Sequence, residues 1–399
     1  MIFNSLYIHI PFCIHRCGYC DFNTYAGYQK LIPAYSHAVC AELQYLSQSV
    51  TERLSIHTIY FGGGTPSLLG ANELGDVLKI VDNHFDLLPS PEITLEANPG
   101  TVSEQYLIQV HNLGVNRISL GMQSADQNEL KLLERQHTYE DVIRAVKWSR
   151  KAGLNNLNLD LIFGLPYQSL KLWMNSLDAA LTLQPEHLSL YALTLEHGTP
   201  MQHKVETGIL PEPDPDIAAD MYEAASERLE KAGYIQYEIS NWALLNASGE
   251  QYSCKHNLQY WRNLPYIGVG AGAHGFINHY RTVDVATPGA YIRKLGNKPT
   301  TPEGEDGFPH TPATIQMNYI DADTEIGETM MMGLRLVLEG VSNQEFQQRF
   351  GASLQDRFGI QIERLISLGL LEWAVKQDVR LRLTNKGHLL GNQVFKEFI

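Results

Sequence analysis

Short apolar runs rich in β-favouring residues recur along the first half of the chain: LYIHI at 6–10, HTIYF at 57–61, EITLE at 92–96, RISLG at 117–121, LNLDLIF at 157–163 and HLSLYAL at 187–193. Between them the apolar positions change to a helical period, near 30–48, 71–84, 103–113, 139–152 and 169–183. In the last of these Leu170, Trp173, Leu177 and Leu181 share one face. Strands alternating with helices predict a parallel sheet covered by helices. Six such units suit an incomplete (β/α)6 barrel of TIM type, with a doubly wound sheet as the competitor. Unusual residues separate the two. FGGGTPS follows the second run, Glu96 closes the third, GMQS follows the fourth and Asp160 lies in the fifth. In a parallel barrel all C-terminal strand ends face one mouth, where sites are built, so this convergence favours the barrel.

The pattern changes near 197. A Pro-rich acidic stretch, PEPDPD at 211–216, precedes a long helix near 216–233 and the segment SCKHNLQYWRNLPYIGVGAGAHGF at 253–276. The turn formers of NKPTTPEGEDGFPHTP, 297–312, predict a surface loop. Beyond it three helical stretches and a hairpin over 370–387 predict a winged-helix-like domain. The expected organisation is a barrel over 1–200, an extension carrying HNLQYW over 201–309 and the winged-helix-like domain over 310–399.

The 399 residues, 44% hydrophobic and 19% charged, suffice for such cores. Thirty basic and 44 acidic residues leave a net charge of −14, the wrong sign for a protein that neutralises phosphates. The N-terminus lacks the pattern of a secretory signal. No apolar run approaches a membrane span. Five cysteines, three of them clustered, do not read as a disulfide framework, and a reducing cytoplasm is expected.

Those three, Cys13, Cys17 and Cys20 in PFCIHRCGYCDF, form C-x3-C-x2-C just after the first strand. Thiolates so spaced can wrap one inorganic centre. A structural zinc ion needs a fourth ligand, for which His9 or His15 is at hand. A cubane 4Fe–4S cluster normally takes four cysteines; three leave one iron open to the amino and carboxylate groups of S-adenosylmethionine (SAM). Gly62–Gly64 with Thr65 and Pro66 read either as a tight βα turn or as backbone that a ligand can approach. Glu96 reads as a solvated strand end or a ligand group. Asp160 lies in an apolar run where an unpaired charge would be costly. The glycines of GVGAGAHG, 268–275, predict a backbone turn rather than a phosphate loop, and Cys40 and Cys254 read as small structural residues.

C-x3-C-x2-C with Tyr19 before its last cysteine resembles the radical SAM signature. LYIHIPFC, CDFN, YFGGGTPS, EANPGT, RISLGMQS, LDLIFGLP and HNLQYWR together resemble the HemW heme chaperones, relatives of oxygen-independent coproporphyrinogen III oxidase, over nearly the whole chain. The resemblance implies a 4Fe–4S cluster on Cys13, Cys17 and Cys20. It implies SAM contacts from Tyr7, Tyr19, Gly63, Gly64, Thr65, Glu96, Gln123, Arg135 and Asp160. It also associates the HN-x-x-YW stretch with heme, so His256 is the expected axial ligand, with Tyr260 and Trp261 as flat faces beside it and Cys254 a secondary contact. The expected function is heme delivery to an acceptor protein, without nucleic-acid binding. The alternative is oxidative decarboxylation of coproporphyrinogen. Members of the oxidase family usually carry a fourth cysteine where this chain has Phe22, and a longer segment than the twelve residues preceding Cys13.

Overall fold

The computed structural model of the chain describes residues 3–296, 307–375 and 378–399. The six apolar runs form strands β1 (Asn4–Ile10), β2 (Ser55–Gly63), β3 (Asp86–Ala97), β4 (Arg117–Gln123), β5 (Leu157–Phe163) and β6 (His187–Ala192). The helical periods form α1 (Ile32–Gln48), α2 (Ala71–His84), α3 (Glu104–Asn112), α4 (Tyr139–Lys151) and α5 (Leu170–Thr182). Side-chain caps at Ser103, Thr138 and Ser169 start the last three.

The six strands lie side by side in chain order, every neighbouring pair parallel. A doubly wound sheet reverses its order at a switch point, so the sequential order settles the choice for an incomplete barrel. Beyond β1 the sheet continues through Tyr266–Val269, parallel to β1, and then the antiparallel strands His274–Ile277 and Tyr280–Asp284. The GVGAGAHG glycines make the turn between the first two of these, as expected. A Cβ on Gly270, whose φ is +106°, would lie 2.6 Å from the His9 carbonyl oxygen.

Strand side chains alternate between the two faces. Leu6, Ile8, Ile59, Phe61, Leu95, Ile118, Leu120, Leu159, Leu161, Leu188 and Leu190 form one face and are buried. The other face carries Ser5, Tyr7, His9, Thr58, Tyr60, Glu96, Arg117, Ser119, Asn158, Asp160, His187 and Ser189. Hydrogen bonds cross-link it: Thr58 Oγ1 donates to Ser5 Oγ (2.6 Å), Asn158 Nδ2 to Ser119 Oγ (2.7 Å), and Ser119 Oγ to Asp160 Oδ2 (2.8 Å). A polar interior is tolerable because its groups are paired.

Two compact units divide the chain, 1–225 with 265–318 and 226–264 with 319–399. The segment expected at 201–309 is therefore shared, and HNLQYW belongs with the C-terminal unit. There the Val337 amide donates to the Tyr237 carbonyl (3.1 Å) and Arg262 pairs with Glu339 (2.7 Å). Helices Ala322–Gly333, Asn343–Phe350 and Leu354–Ser367 and the hairpin Leu371–Val375 with Val379–Leu383 make up the winged-helix-like part, around Met330, Leu334, Leu354, Ile362 and Leu381. Of the loop expected at 297–312, residues 297–306 lie outside the described residues. Among the described residues no helix is long and apolar enough to cross a membrane.

Candidate functional site

The cysteine loop leaves the C-terminal end of β1 and runs beside the glycine strap that leaves β2. The Gly64 amide donates to the Ile10 carbonyl (2.9 Å) and the Thr65 amide to the Phe12 carbonyl (2.8 Å). Such an approach has no room for side chains. A Cβ on Gly64 would lie 2.7 Å from the Phe12 oxygen, and one on Gly63, at φ +113°, would lie 2.5 Å from the His9 ring. The strap ends with Thr65 Oγ1 donating to Cys13 Sγ (3.6 Å). The glycines thus serve first to seat the cysteine loop.

On the loop's other side Arg135 Nη1 donates to Cys17 Sγ (3.7 Å) and Nη2 to the Gly121 carbonyl (3.1 Å). The missing side chain at Gly121 makes room for both Arg135 and the Gln123 amide, and Gln123 itself takes a φ of +65°. Burial works against the Arg135 charge, but Tyr19, Cys17 and Cys13 outweigh it and raise its pKa. Tyr19 packs against the apolar cluster of Leu133, Ile162, Leu165 and Met201. Glu134 clamps the loop from outside through Lys204 (2.9 Å) and His15 (3.4 Å), while the Met201 amide donates to the Gly18 carbonyl (2.8 Å).

Glu96 accepts from the Tyr60 hydroxyl (2.7 Å) and the Gly63 amide (3.1 Å), and burial pushes its pKa up to about 7. Tyr7 stacks on Tyr60 and donates to His9 Nδ1 (3.0 Å); His9 Nε2 donates to the Asn23 carbonyl (3.0 Å). The carbonyl fixes which ring nitrogen carries the proton. Asp160 is half-buried, with Ser119 on Oδ2 and Asn158 Nδ2 on Oδ1 (2.8 Å); desolvation still raises its pKa.

The structure therefore gathers Cys13 with Thr65, Cys17 with Arg135, Tyr19 and Gln123, and Glu96 with Gly63, at one end of the sheet. Sequence reading passed over Tyr60, Asn23, Gly121, Glu134 and Lys204. Tyr60 alone left a signal there, two residues before the glycine strap and so on the face of Gly62. The zinc reading loses its fourth ligand, since both nitrogens of His9 are engaged and His15 faces Glu134. Among the described residues no three His, Cys, Asp or Glu side chains stand close enough to hold a single ion. The three thiols nonetheless share one neighbourhood: burial raises the pKa of Cys13 and Cys20, and the neighbouring thiols add to it.

His256 lies in the other unit, on the helix Lys255–Trp261. It is only 1% exposed, and its Nε2 is 2.9 Å from the Tyr260 hydroxyl one turn on. Cys254 is buried just before it, and Cys40 is half-buried on α1.

Residues 7–180 match the family model of the Radical SAM superfamily and residues 320–390 that of the HemN C-terminal domain. The solved structure titled coproporphyrinogen III oxidase (HemN) from Escherichia coli, a radical SAM enzyme, matches 100% of this chain and 90% of its own. Its TM-score is 0.81 at 21% identity, a likeness of fold. Fold and cysteine loop together define a radical SAM protein built like HemN. Heme chaperone HemW of Bacillus subtilis is 36% identical over 398 residues, 99% of either chain. That of Mycobacterium tuberculosis H37Rv is 36% identical over 99% of this chain and 94% of its own. The mouse mitochondrial radical S-adenosyl methionine domain-containing protein 1 is 36% identical over 92% and 81%. The chain belongs to the HemW family. Membership implies a 4Fe–4S cluster and SAM, and the thiol loop with Thr65 and Arg135 donating to its sulfurs fits the cluster.

Proposed function

We propose that the protein binds heme and delivers it to an acceptor protein in the cytoplasm, with a 4Fe–4S cluster and SAM at the mouth of the barrel. End-to-end kinship with chains named heme chaperone carries this reading. Phe22 supports it over the oxidase alternative, because the position of the usual fourth cysteine is a phenylalanine, 63% exposed. Transfer tests it directly. The heme-loaded protein mixed with an apo-hemoprotein should lose its Soret band as the acceptor gains one, and conversion of coproporphyrinogen by the reconstituted protein would establish the oxidase instead.

Cys13, Cys17 and Cys20 would hold the cluster. Tyr7, Tyr19, the Gly63–Thr65 backbone, Glu96, Gln123, Arg135 and Asp160 would line the place for SAM. When bound, the pair supplies one-electron cleavage of a sulfonium. The protein's own groups orient and balance charge: Thr65 and Arg135 donate to the sulfurs, and Glu96 offers a carboxylate to the ammonium of SAM.

Glu96 makes SAM binding depend on pH. Its folded pKa, about 7, lies above the ordinary 4.5. The protonated form therefore favours folding fully below the ordinary value, and that contribution fades as pH rises through 7. A cationic ligand prefers the carboxylate, so its apparent affinity should rise roughly fivefold from pH 6 to 7, reach about tenfold by pH 8 and level off above that. Equilibrium dialysis of labelled SAM against the reconstituted protein reads this; Glu96→Gln should bind weakly with a flat profile.

Heme ligation by His256 requires the ring to leave the Tyr260 hydroxyl and reach the surface. His256→Ala is expected to change the heme spectrum and weaken binding about tenfold or more, the loss of one ligand bond. An unchanged spectrum and affinity would remove His256 as ligand.

A further inference from the structure

Arg335 follows the helix Ala322–Gly333 in the unit that carries HNLQYW. Its guanidinium lies over two aromatic rings, 5.3 Å from the centroid of Trp261 and 4.7 Å from that of Phe395. Other arginines of this unit meet carboxylates: Arg262 with Glu339, Arg349 with Glu325 and Arg382 with Glu372. Arg335 has no such partner among the described residues. Its Nε is buried without an acceptor, and so is Nε1 of Trp261 beside it.

Two buried donors left unpaired cost about 1–3 kcal/mol each, and stacking on rings orients a guanidinium without supplying any acceptor. The acid whose charge acts on Arg335 is Glu238, which already accepts from the Ser240 amide and Asn241 Nδ2. Burial pushes the Glu238 pKa up to about 7, so it balances the Arg335 charge only in part. The geometry is that of a half-built anion seat: a rigid planar fork, permanently charged, with a second N–H alongside. A carboxylate answers it, since two coplanar oxygens match the fork.

We propose that Arg335 and Trp261 seat a carboxylate of the cargo, a propionate of heme, an inference that rests on the heme-carrier reading above. Trp261 closes the helix that carries His256 five residues earlier, roughly 7.5 Å along its axis. One short helix thus brings an iron ligand and a propionate anchor into the same unit. Arg335 selects a porphyrin that bears free acids and fixes the edge by which it is held.

Titration of the full-length protein with heme and with its propionate dimethyl ester, followed by Soret absorbance, tests this. The unaltered protein is expected to bind the free acid about tenfold or more tighter than the ester, as one charge-assisted pair supplies. Arg335→Gln should weaken binding of the acid to the level of the ester and leave the ester unaffected. Arg335→Lys, which keeps the charge and loses the fork, should fall between them. Equal affinity of the unaltered protein for both porphyrins overturns the seat and leaves the carrier reading standing. A preference retained in Arg335→Gln also overturns the seat. Binding of neither porphyrin overturns both. The comparison of the two porphyrins needs no variant to fold.

Discussion

Anaerobically reconstituted Cys17→Ser is expected to hold at least tenfold less iron and labile sulfide than the unaltered protein. Loss of outer-shell partners alone lowers metal affinity 10–100-fold, and this substitution removes one of three thiolates outright. The Cys17 sulfur also receives Arg135, which is half-buried and loses that acceptor with it. Cys40→Ser provides the contrast, since Cys40 lies on α1 outside the loop. Iron and sulfide should stay near the normal content there. Equal contents in both variants would show that Cys17 holds no cluster, and zinc in place of iron in the unaltered protein would overturn the cofactor assignment.

Gly64→Ala should destabilise the barrel by about 2–4 kcal/mol, the range expected when backbone hydrogen bonds are lost and a packed contact is forced apart. The new methyl would meet three backbone atoms, the Phe12 oxygen at 2.7 Å and the Ile10 oxygen and Pro11 carbon at 3.0 Å, none of which can swing aside. Relief requires the strap and the cysteine loop to separate, which breaks the Gly64–Ile10 and Thr65–Phe12 bonds and moves Thr65 off Cys13. A lower melting temperature before reconstitution, with poor cluster retention afterwards, should appear together. Gly289→Ala is the control: it sits in a helix, and its methyl would meet only the end of Arg293 at 3.6 Å. That change should be neutral or slightly stabilising. Indifference to alanine at Gly64 would mean that the loop does not depend on the strap.

The two predictions differ in how far they could be seen beforehand. The cysteine spacing is local, and its chemistry follows from three sulfurs within eight residues. The need for glycine at position 64 is not local. A run of glycines reads equally as a turn, and only the neighbouring loop from β1 shows which backbone atoms fill the space. Glu96 was visible as a carboxylate closing an apolar strand, yet its partners Tyr60 and Gly63 lie 36 and 33 residues away. Asp160 was visible as a charge in an apolar run. That both its oxygens are already engaged was not, because Ser119 comes from the adjacent strand.

HNLQYW shows the opposite case. Its residue types point to a porphyrin, but periodicity could not tell that His256 turns inward onto Tyr260, or that the segment joins the C-terminal unit. Arg335 left no signal at all, being one arginine among many in a helical stretch. Its meaning comes from two rings, 74 and 60 positions away, and from the lack of a salt-bridged acid beside it among the described residues.

What the chain determines by itself is its alternation of strand and helix and the presence of three thiols at the end of the first strand. Each follows from side-chain period and short-range spacing, which act within a few residues. Which donors reach which sulfurs, which carboxylate titrates near neutrality and which arginine lies over rings with no salt-bridged acid among the described residues were decided only by the tertiary structure. Those properties depend on distance and dielectric between groups that the parallel pairing of strands and the packing of helices bring together from far apart in the chain.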